Sequence, residues 1–340
     1  GRREPKSGGA RGPARDRSAP RAAMLLALGT ALTMLETGIF VILAFYAVYF
    51  LLALPLLRLR AKTLAIIAAV LAVTAPQAAF GLNQLLSDSI VKSIDAYDPI
   101  ARLGGDGLLS LLFNGTYPAI TWMPFVIAGM ALARLDLAAG AVQRQLALLG
   151  PALIALGYGT SWLAFRLITP LREAKEAEQK FFSEDLTADS KAALLDSIRD
   201  SKSELLDTIA DQWKVEPDTA PTAVHLMGSG PHSGTTFEII GGLGVAITVL
   251  ICATVAMARL SWLRRLASPL VAVGTMSLTV YVAHVAAYAL LPSEATTTFV
   301  SLLGFIAGAI LFAVIWSRFF RRGPLEYLLN STTKLAKFVR

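Results

Sequence analysis

The chain has 340 residues, of which 55% are hydrophobic and only 16% are charged. Soluble domains carry about 25% charged residues, so this composition excludes an ordinary soluble domain and indicates a protein that lies in a lipid bilayer. The single cysteine, Cys252, excludes disulfide bonds within the chain and metal sites built from several thiolates. The three histidines lack metal-binding spacing, so no metal site is predicted.

The net charge of +7 is unevenly distributed, because residues 171–218 carry a net charge of −6. The basic residues elsewhere lie in short clusters at the ends of apolar runs, which is typical of membrane proteins whose basic loops stay in the cytoplasm. This distribution favours a lipid bilayer as the partner and excludes a nucleic-acid-binding protein, whose basic residues would form one patch or stripe.

A basic segment rich in Arg, Gly and Pro begins the chain at residues 1–21. It has no apolar run, so it is predicted to be disordered and is not a signal peptide. Residues 22–168 are then predicted to contain five transmembrane spans. Their predicted bounds are 22–35, 39–57, 63–82, 120–135 and 146–168. The polar residues 83–107 separate the third span from the fourth.

Residues 169–235 are predicted to form one helical insertion outside the membrane. Apolar residues recur at helical spacing between residues 188 and 214, which predicts an amphipathic helix. Prolines and glycines then interrupt the chain as far as Pro231. This insertion is a candidate site for a protein partner or for self-association.

Three further spans and a basic tail complete the chain. The predicted bounds are 237–258, 270–291 and 298–319 for the spans, within a membrane region at 236–319, and 320–340 for an amphipathic tail. The predicted fold is all-α, a polytopic membrane helix bundle of about eight transmembrane helices with one helical extracytoplasmic insertion. Because basic clusters alternate with neutral or acidic segments, both termini are predicted to be cytoplasmic, in the plasma (inner) membrane.

His284 is an ionisable residue within 270–291, a span without Asp, Glu, Lys or Arg. Counted along a straight helix, it lies about 21 Å above the inner end. Ser277, Tyr281 and Tyr288 share its helix face. Two interpretations stay open: a general base or proton relay that faces an outward cavity, or a neutral histidine that is hydrogen-bonded between helices.

Other polar residues are candidates to line the same outward cavity. Glu238 and His232 lie at the outer mouth of the sixth span, where an acidic residue also stabilises a helix start. Glu36 lies in the hairpin between the first two spans, and Asn114 and Tyr117 flank the turn before the fourth. Ordinary turn or interfacial roles remain the alternative for each of them.

Two further features are predicted to be structural. The glycines Gly241, Gly242 and Gly244 favour close packing of the sixth span against another helix, because small residues let helix backbones approach in lipid. In the tail, Pro324 predicts a helix start with Glu326 in its first turn.

Five segments in a fixed order carry a resemblance to a known family: VILAFYAVYFLLALPLLRLR, FNGTYPAITWMPFVIAGMALARLDL, PHSGTTFEIIGGLGVAI, VAVGTMSLTVYVAHV and RRGPLEYLL. With them the chain resembles bacterial transmembrane acyltransferases related to heparan-α-glucosaminide N-acetyltransferase, including YeiB-like proteins of unknown function. The resemblance implies transfer of an acyl group, such as acetyl, from cytosolic acyl-CoA to a sugar or lipid acceptor across the membrane. It also implies further spans and an outward histidine before residue 1, so the chain is expected to be an N-terminally truncated fragment.

The resemblance also suggests roles for the candidate residues. His284 would be the catalytic base or relay, with an acceptor cavity lined by Glu238, His232, Tyr281, Asn114, Tyr117 and Glu36. The phosphates of the co-substrate acyl-CoA would be attracted by Arg264, Arg265, Arg321 and Arg322. Positive-inside topology explains the same arginines without any ligand and is the preferred explanation. The alternative function is a non-enzymatic membrane component, either a transporter or a protein that docks a partner through residues 169–235.

Overall fold

The computed structural model describes residues 15–35, 37–86, 88–167, 226–291 and 298–335. Every regular element in these ranges is a helix, which confirms the all-α prediction. The predicted amphipathic helix at 188–214, most of the insertion and Glu36 lie outside the described residues.

The helices are numbered in chain order. Those before the insertion are α1 (Arg15–Thr33), α2 (Leu43–Ala53), α3 (Ala61–Leu85), α4 (Asp88–Asp95), α5 (Pro99–Arg102), α6 (Ala119–Leu132) and α7 (Gly140–Ile154). Those after it are α8 (Thr236–Arg259), α9 (Ser261–Leu266), α10 (Ser268–Gly274), α11 (Ser277–Leu290), α12 (Phe299–Ser317) and α13 (Pro324–Leu335). A 3₁₀ turn, Leu54–Arg58, continues α2, and two π-helical segments occur at Ser110–Asn114 and Ala155–Gly159.

Four of the described helices are long and apolar enough to cross a membrane: α3, α8, α12 and the continuous stretch Gly140–Leu167 that begins with α7. The pair α10 and α11 makes a fifth if it counts as one span. These helices indicate a membrane-embedded protein, but the predicted count of eight spans is not confirmed. The α2 and α6 helices have only 11 and 14 residues, whereas a bilayer needs about 20. The α1 helix is not among the candidate spans, and charged residues occupy its first turns.

The predicted span at 270–291 is interrupted. Its two helices, α10 and α11, are bent by 82° relative to one another. The Thr275 hydroxyl donates to the Ala272 carbonyl at 2.8 Å, and Met276 leaves the helical conformation with φ −127° and ψ 28°. The depth expected for His284 along one straight helix therefore does not hold.

The chain forms two compact units. The first comprises Gly1–Ala65, Leu86–Arg134 and Ala253–Arg340, and its core lies where α1 and α2 pack together with α11 and α13. Buried side chains at this core are Ala22, Leu25, Leu32, Val41, Leu43, Ala47 and Val285. Gly29 lets α1 approach α2 closely, because a Cβ atom there would lie 2.4 Å from the backbone nitrogen of Ala44.

The second unit comprises Ile66–Leu85 and Leu135–Cys252. Within it, the stretch that begins with α7 packs against α8 through glycines. A Cβ atom on Gly157 would lie 2.4 Å from the Gly241 nitrogen, and one on Gly244 would lie 2.6 Å from the Ile154 nitrogen. This contact confirms that Gly241 and Gly244 serve close helix packing.

Candidate functional site

His284 lies on α11 in the first unit, and its side chain is half-buried. Its ring packs edge-on against Tyr281, with 5.2 Å between the ring centroids and 75° between the planes. No residue that the structure describes hydrogen-bonds the imidazole. The interhelical hydrogen bond that the sequence left open is thus not observed within this part of the chain.

Tyr281 connects α11 to the start of α2. Its hydroxyl accepts a hydrogen bond from the backbone N–H of Ile42 at 3.2 Å, and Ile42 caps α2 without a side-chain hydrogen bond of its own. This contact satisfies a backbone donor that a helix N-terminus otherwise leaves free. Tyr281 therefore fixes where the His284 ring lies relative to α2.

Two further tyrosines lie on α2, whose start Tyr281 contacts. The rings of Tyr46 and Tyr49 meet edge-on, with 5.7 Å between their centroids. The hydroxyl of the fully buried Tyr49 donates to the Tyr117 carbonyl. We call Tyr46, Tyr49, Tyr117 and Tyr281 the tyrosine cluster. Sequence analysis did not select Tyr46 and Tyr49; their i, i+3 spacing, together with the polar hydroxyls on an apolar helix, was the available signal.

Aromatic rings pack against one side of this cluster. The Tyr117 ring meets Phe45 and Trp122 edge-on, at centroid distances of 5.6 Å and 5.1 Å. The predicted site residue Asn114 ends the π-helical segment just before Tyr117, and its side chain is exposed. The structure thus brings Tyr117, Tyr281 and His284 into one neighbourhood.

Glu238 and His232, in the second unit, form a helix cap. The Glu238 carboxylate accepts hydrogen bonds from the backbone N–H of His232 at 2.7 Å, from that of Gly234 at 2.6 Å and from the Ser233 hydroxyl at 3.2 Å. The Glu238 backbone N–H donates to the Thr235 hydroxyl at 3.1 Å. The Thr235 hydroxyl thus serves α8 as in a capping box, but the Glu238 carboxylate binds donors that precede Thr235 instead of the Thr235 N–H. The Glu238 side chain therefore holds the start of α8.

On the first unit, a pocket of about 590 Å³ opens beside the α10–α11 bend. Its lining residues are Arg264, Ser268, Val271, Ala272, Thr275, Ser317, Phe320 and Arg321. Two of the four predicted phosphate-binding arginines, Arg264 and Arg321, line this pocket, whereas Arg265 and Arg322 do not.

Glu326, in the first turn of α13, caps α11. Its carboxylate accepts from the backbone N–H groups of Leu278 and Thr279, at 2.8 Å and 3.1 Å, and from the Thr279 hydroxyl at 2.5 Å. The same hydroxyl oxygen accepts from the Leu325 N–H at 3.1 Å, so each helix start is capped by the other. Thr279 is buried. Sequence analysis predicted a structural Glu326 but not this partner.

The polar loop before the first π-helical segment is ordered by Asp98. Its carboxylate accepts from the backbone N–H groups of Leu108 at 2.5 Å and Ile100 at 2.8 Å. These hydrogen bonds, the one from Leu108 above all, hold the pKa of Asp98 below its usual value of 3.8. Burial instead raises the pKa of the nearby Asp106.

A family model matches the C-terminal part of the chain. Residues 223–336 match the family model DUF418, described as a protein of unknown function. This range contains α8 to α13 and therefore His284, Glu326 and the arginine-lined pocket. No curated protein and no solved structure matches the chain. The C-terminal part of this membrane-embedded protein is thus similar to a family whose description names no activity.

Proposed function

We propose that this protein is a membrane acyltransferase, which moves an acyl group such as acetyl from cytosolic acyl-CoA to a sugar or lipid acceptor. The observation that carries the proposal is a half-buried imidazole, His284, which no described residue hydrogen-bonds and which lies beside the tyrosine cluster. An ionisable group among apolar helices usually serves a binding or proton-transfer role.

The reaction needs a base for the acceptor. The neutral imidazole of His284 would take the proton from an acceptor hydroxyl or amine as that atom attacks the thioester carbonyl. The new C–O or C–N bond then forms, the C–S bond breaks, and the proton passes to the departing CoA thiolate. Tyr281 would position the ring, and the aromatic faces of Tyr117 and Trp122 would bind the acceptor.

The other candidate residues differ in the contacts that they make. Glu238 and His232 take part in the α8 cap, which supports a structural role beside the proposed contact with the acceptor. Asn114 is exposed and would contact the acceptor directly. The arginines Arg264 and Arg321 would bind CoA phosphates from the cytoplasmic side. We further propose that the protein lies in the plasma (inner) membrane with both termini in the cytoplasm, and that residues 169–235 bind a partner.

A second candidate function is transport. The bent pair α10 and α11 resembles the discontinuous helices that line substrate sites in many transporters. In this protein the N-terminal end of α11 already receives the Glu326 carboxylate, which occupies the position that an anionic substrate would take. For this reason we place acyl transfer first.

The test is thioester turnover by the purified full-length protein in lipid nanodiscs, with acetyl-CoA and a panel of sugar and lipid acceptors. His284→Ala is expected to lower turnover by at least about a hundredfold, which is typical for loss of a general base. Tyr288→Phe, on the same helix, is the control and should retain activity. Full activity in His284→Ala would remove the imidazole from the mechanism. Binding without turnover of any acyl-CoA would favour transport.

A further inference from the structure

The pocket beside the α10–α11 bend carries two cations and no counter-charge. Arg264 and Arg321 both line it, and no lining residue is acidic. Among the described residues, neither guanidinium forms a hydrogen bond or an ion pair. Two like charges that share an open pocket repel one another, so an anion that bridges them is stabilised by both.

The pocket is also amphipathic. Val271 and Phe320 line it, with exposed fractions of 54% and 47%, and the exposed Leu270 precedes Val271 on α10. The Ser268 hydroxyl adds a hydrogen-bond donor, since the hydroxyls of Thr275 and Ser317 already donate to backbone carbonyls. The lining therefore offers charged donors to a head group and an apolar surface to an attached chain.

The chain after α12 is held in place, which fixes the second arginine. The Trp316 indole N–H donates to the Arg322 carbonyl at 2.9 Å, and the Trp316 ring stacks on Phe320 with 4.5 Å between centroids. This turn places Arg321 at the pocket and leaves Arg322 outside the lining. At the end of α9, Arg264 likewise lines the pocket and Arg265 does not, although the two arginines are adjacent in the sequence.

We propose that Arg264 and Arg321 bind a phosphate group that carries an apolar chain, with the phosphate between the guanidinium groups and the chain along Val271 and Phe320. Arginine suits this role because its planar fork donates two parallel hydrogen bonds to phosphate oxygens. Two sources supply such a phosphate: an anionic phospholipid of the surrounding bilayer, whose acyl chains are apolar, and acyl-CoA, whose phosphates carry the more polar pantetheine arm. The second source rests on the proposed function, whereas the first does not.

The experiment compares two double variants of equal charge in the full-length protein. Arg264→Gln/Arg321→Gln removes both pocket cations, and Arg265→Gln/Arg322→Gln removes the two neighbouring cations outside the lining. One arm measures phosphatidylglycerol bound per protein by native mass spectrometry, with phosphatidylcholine as reference. The other arm measures the affinity for coenzyme A by microscale thermophoresis in nanodiscs of phosphatidylcholine alone.

The pocket variant is expected to lose at least about tenfold in affinity for whichever probe binds, because it loses two charge-assisted hydrogen-bond donors. The control variant should stay within about twofold, since exposed charges outside the pocket are screened by salt. Loss in the lipid arm alone identifies a phospholipid site. It removes Arg264 and Arg321 from the proposed binding of CoA phosphates, whereas the proposed role of His284 as a base is tested separately by turnover. Loss in the coenzyme A arm identifies the donor site. Equal losses in both variants, or no binding of either probe to the unmodified protein, would overturn the inference.

Discussion

The mutual cap between α11 and α13 should be measurable as a coupling energy between Glu326 and Thr279. The Glu326 carboxylate accepts three hydrogen bonds from Leu278 and Thr279, all at 3.1 Å or less. Hydrogen bonds to a charged group contribute about 1.5–3 kcal/mol each, but the contributions do not add, and solvent screens a half-buried carboxylate. We therefore expect Glu326→Gln to lower the free energy of unfolding by about 2 kcal/mol.

Thr279→Val removes the hydroxyl that donates to Glu326 and accepts from the Leu325 N–H. Loss of a helix cap costs about 1 kcal/mol, and the lost contact with Glu326 adds to that cost. Since both changes destroy the same contact, the double variant should be less destabilised than the sum of the single ones by about 1–2 kcal/mol.

The assay is reversible unfolding in mixed micelles of increasing dodecyl sulfate content, followed by circular dichroism. The control is Thr298→Val, because Thr298 caps α12 by accepting from the Ser301 N–H at 3.2 Å and belongs to a separate cap. Its effect should add to that of Glu326→Gln without coupling. Simple additivity of Glu326→Gln with Thr279→Val would refute the mutual cap.

Two further predictions concern the close helix contact of the second unit and the polar loop. Gly157→Ala should lower the free energy of unfolding by about 2–3 kcal/mol in the same assay, because its Cβ would overlap the Gly241 backbone. Gly159→Ala is the control and should not destabilise the protein, because the space around Gly159 is open. Similar losses in both variants would contradict this packing. Asp98 has a depressed pKa, so the stability that it contributes is fully present above its usual value of 3.8 and is lost as the pH falls through its pKa in the folded protein. Hydrogen-exchange protection of the Leu108 amide should therefore fall in acid, and Asp98→Asn should show low protection at every pH; unchanged protection in this variant would rule the carboxylate out.

The sequence predicted most helix positions because apolar runs and basic clusters mark them directly. The predicted spans at 63–82, 237–258 and 298–319 correspond to α3, α8 and α12, which are long and apolar enough to cross a membrane. The sequence of a short helix does not by itself show whether the helix crosses the bilayer. For α2 and α6, this depends on the helices and the lipid that surround them. The count of spans was therefore the least predictable feature of the fold.

The bend between α10 and α11 illustrates why local pattern was insufficient. Residues 270–291 read as one apolar span, and Gly274 alone does not require a break, because membrane helices tolerate glycine. What stabilises a helix start at Ser277 is a carboxylate about 50 residues further along the chain. Contacts of that sequence separation leave no periodic signal, so Glu326 could be predicted at a helix start but not as the cap of another helix.

The candidate site was predictable where one residue was anomalous for its surroundings. His284 stands out as an ionisable group in an apolar run, and the structure places it beside Tyr281 as the helical spacing predicts. The distinction between Arg264 and Arg265 was not predictable, because both follow the same apolar stretch and only the direction of α9 separates them. For Glu238 the sequence left a site role and a helix-start role open, and its three hydrogen-bond donors become visible only in the structure.

One bent stretch of chain connects the two proposed sites of the first unit. The α10 helix lines the arginine pocket, and α11, directly after the bend, carries His284. The Glu326 cap lies at the start of α11, so the tail helix determines the direction in which α11 leaves the bend. In the proposed acyltransferase, the phosphate site and the base are thereby fixed relative to one another by a contact that touches neither ligand. A substitution at Glu326 should then lower turnover while the affinity for phosphate at Arg264 and Arg321 persists, because α10 and α12 still form the pocket.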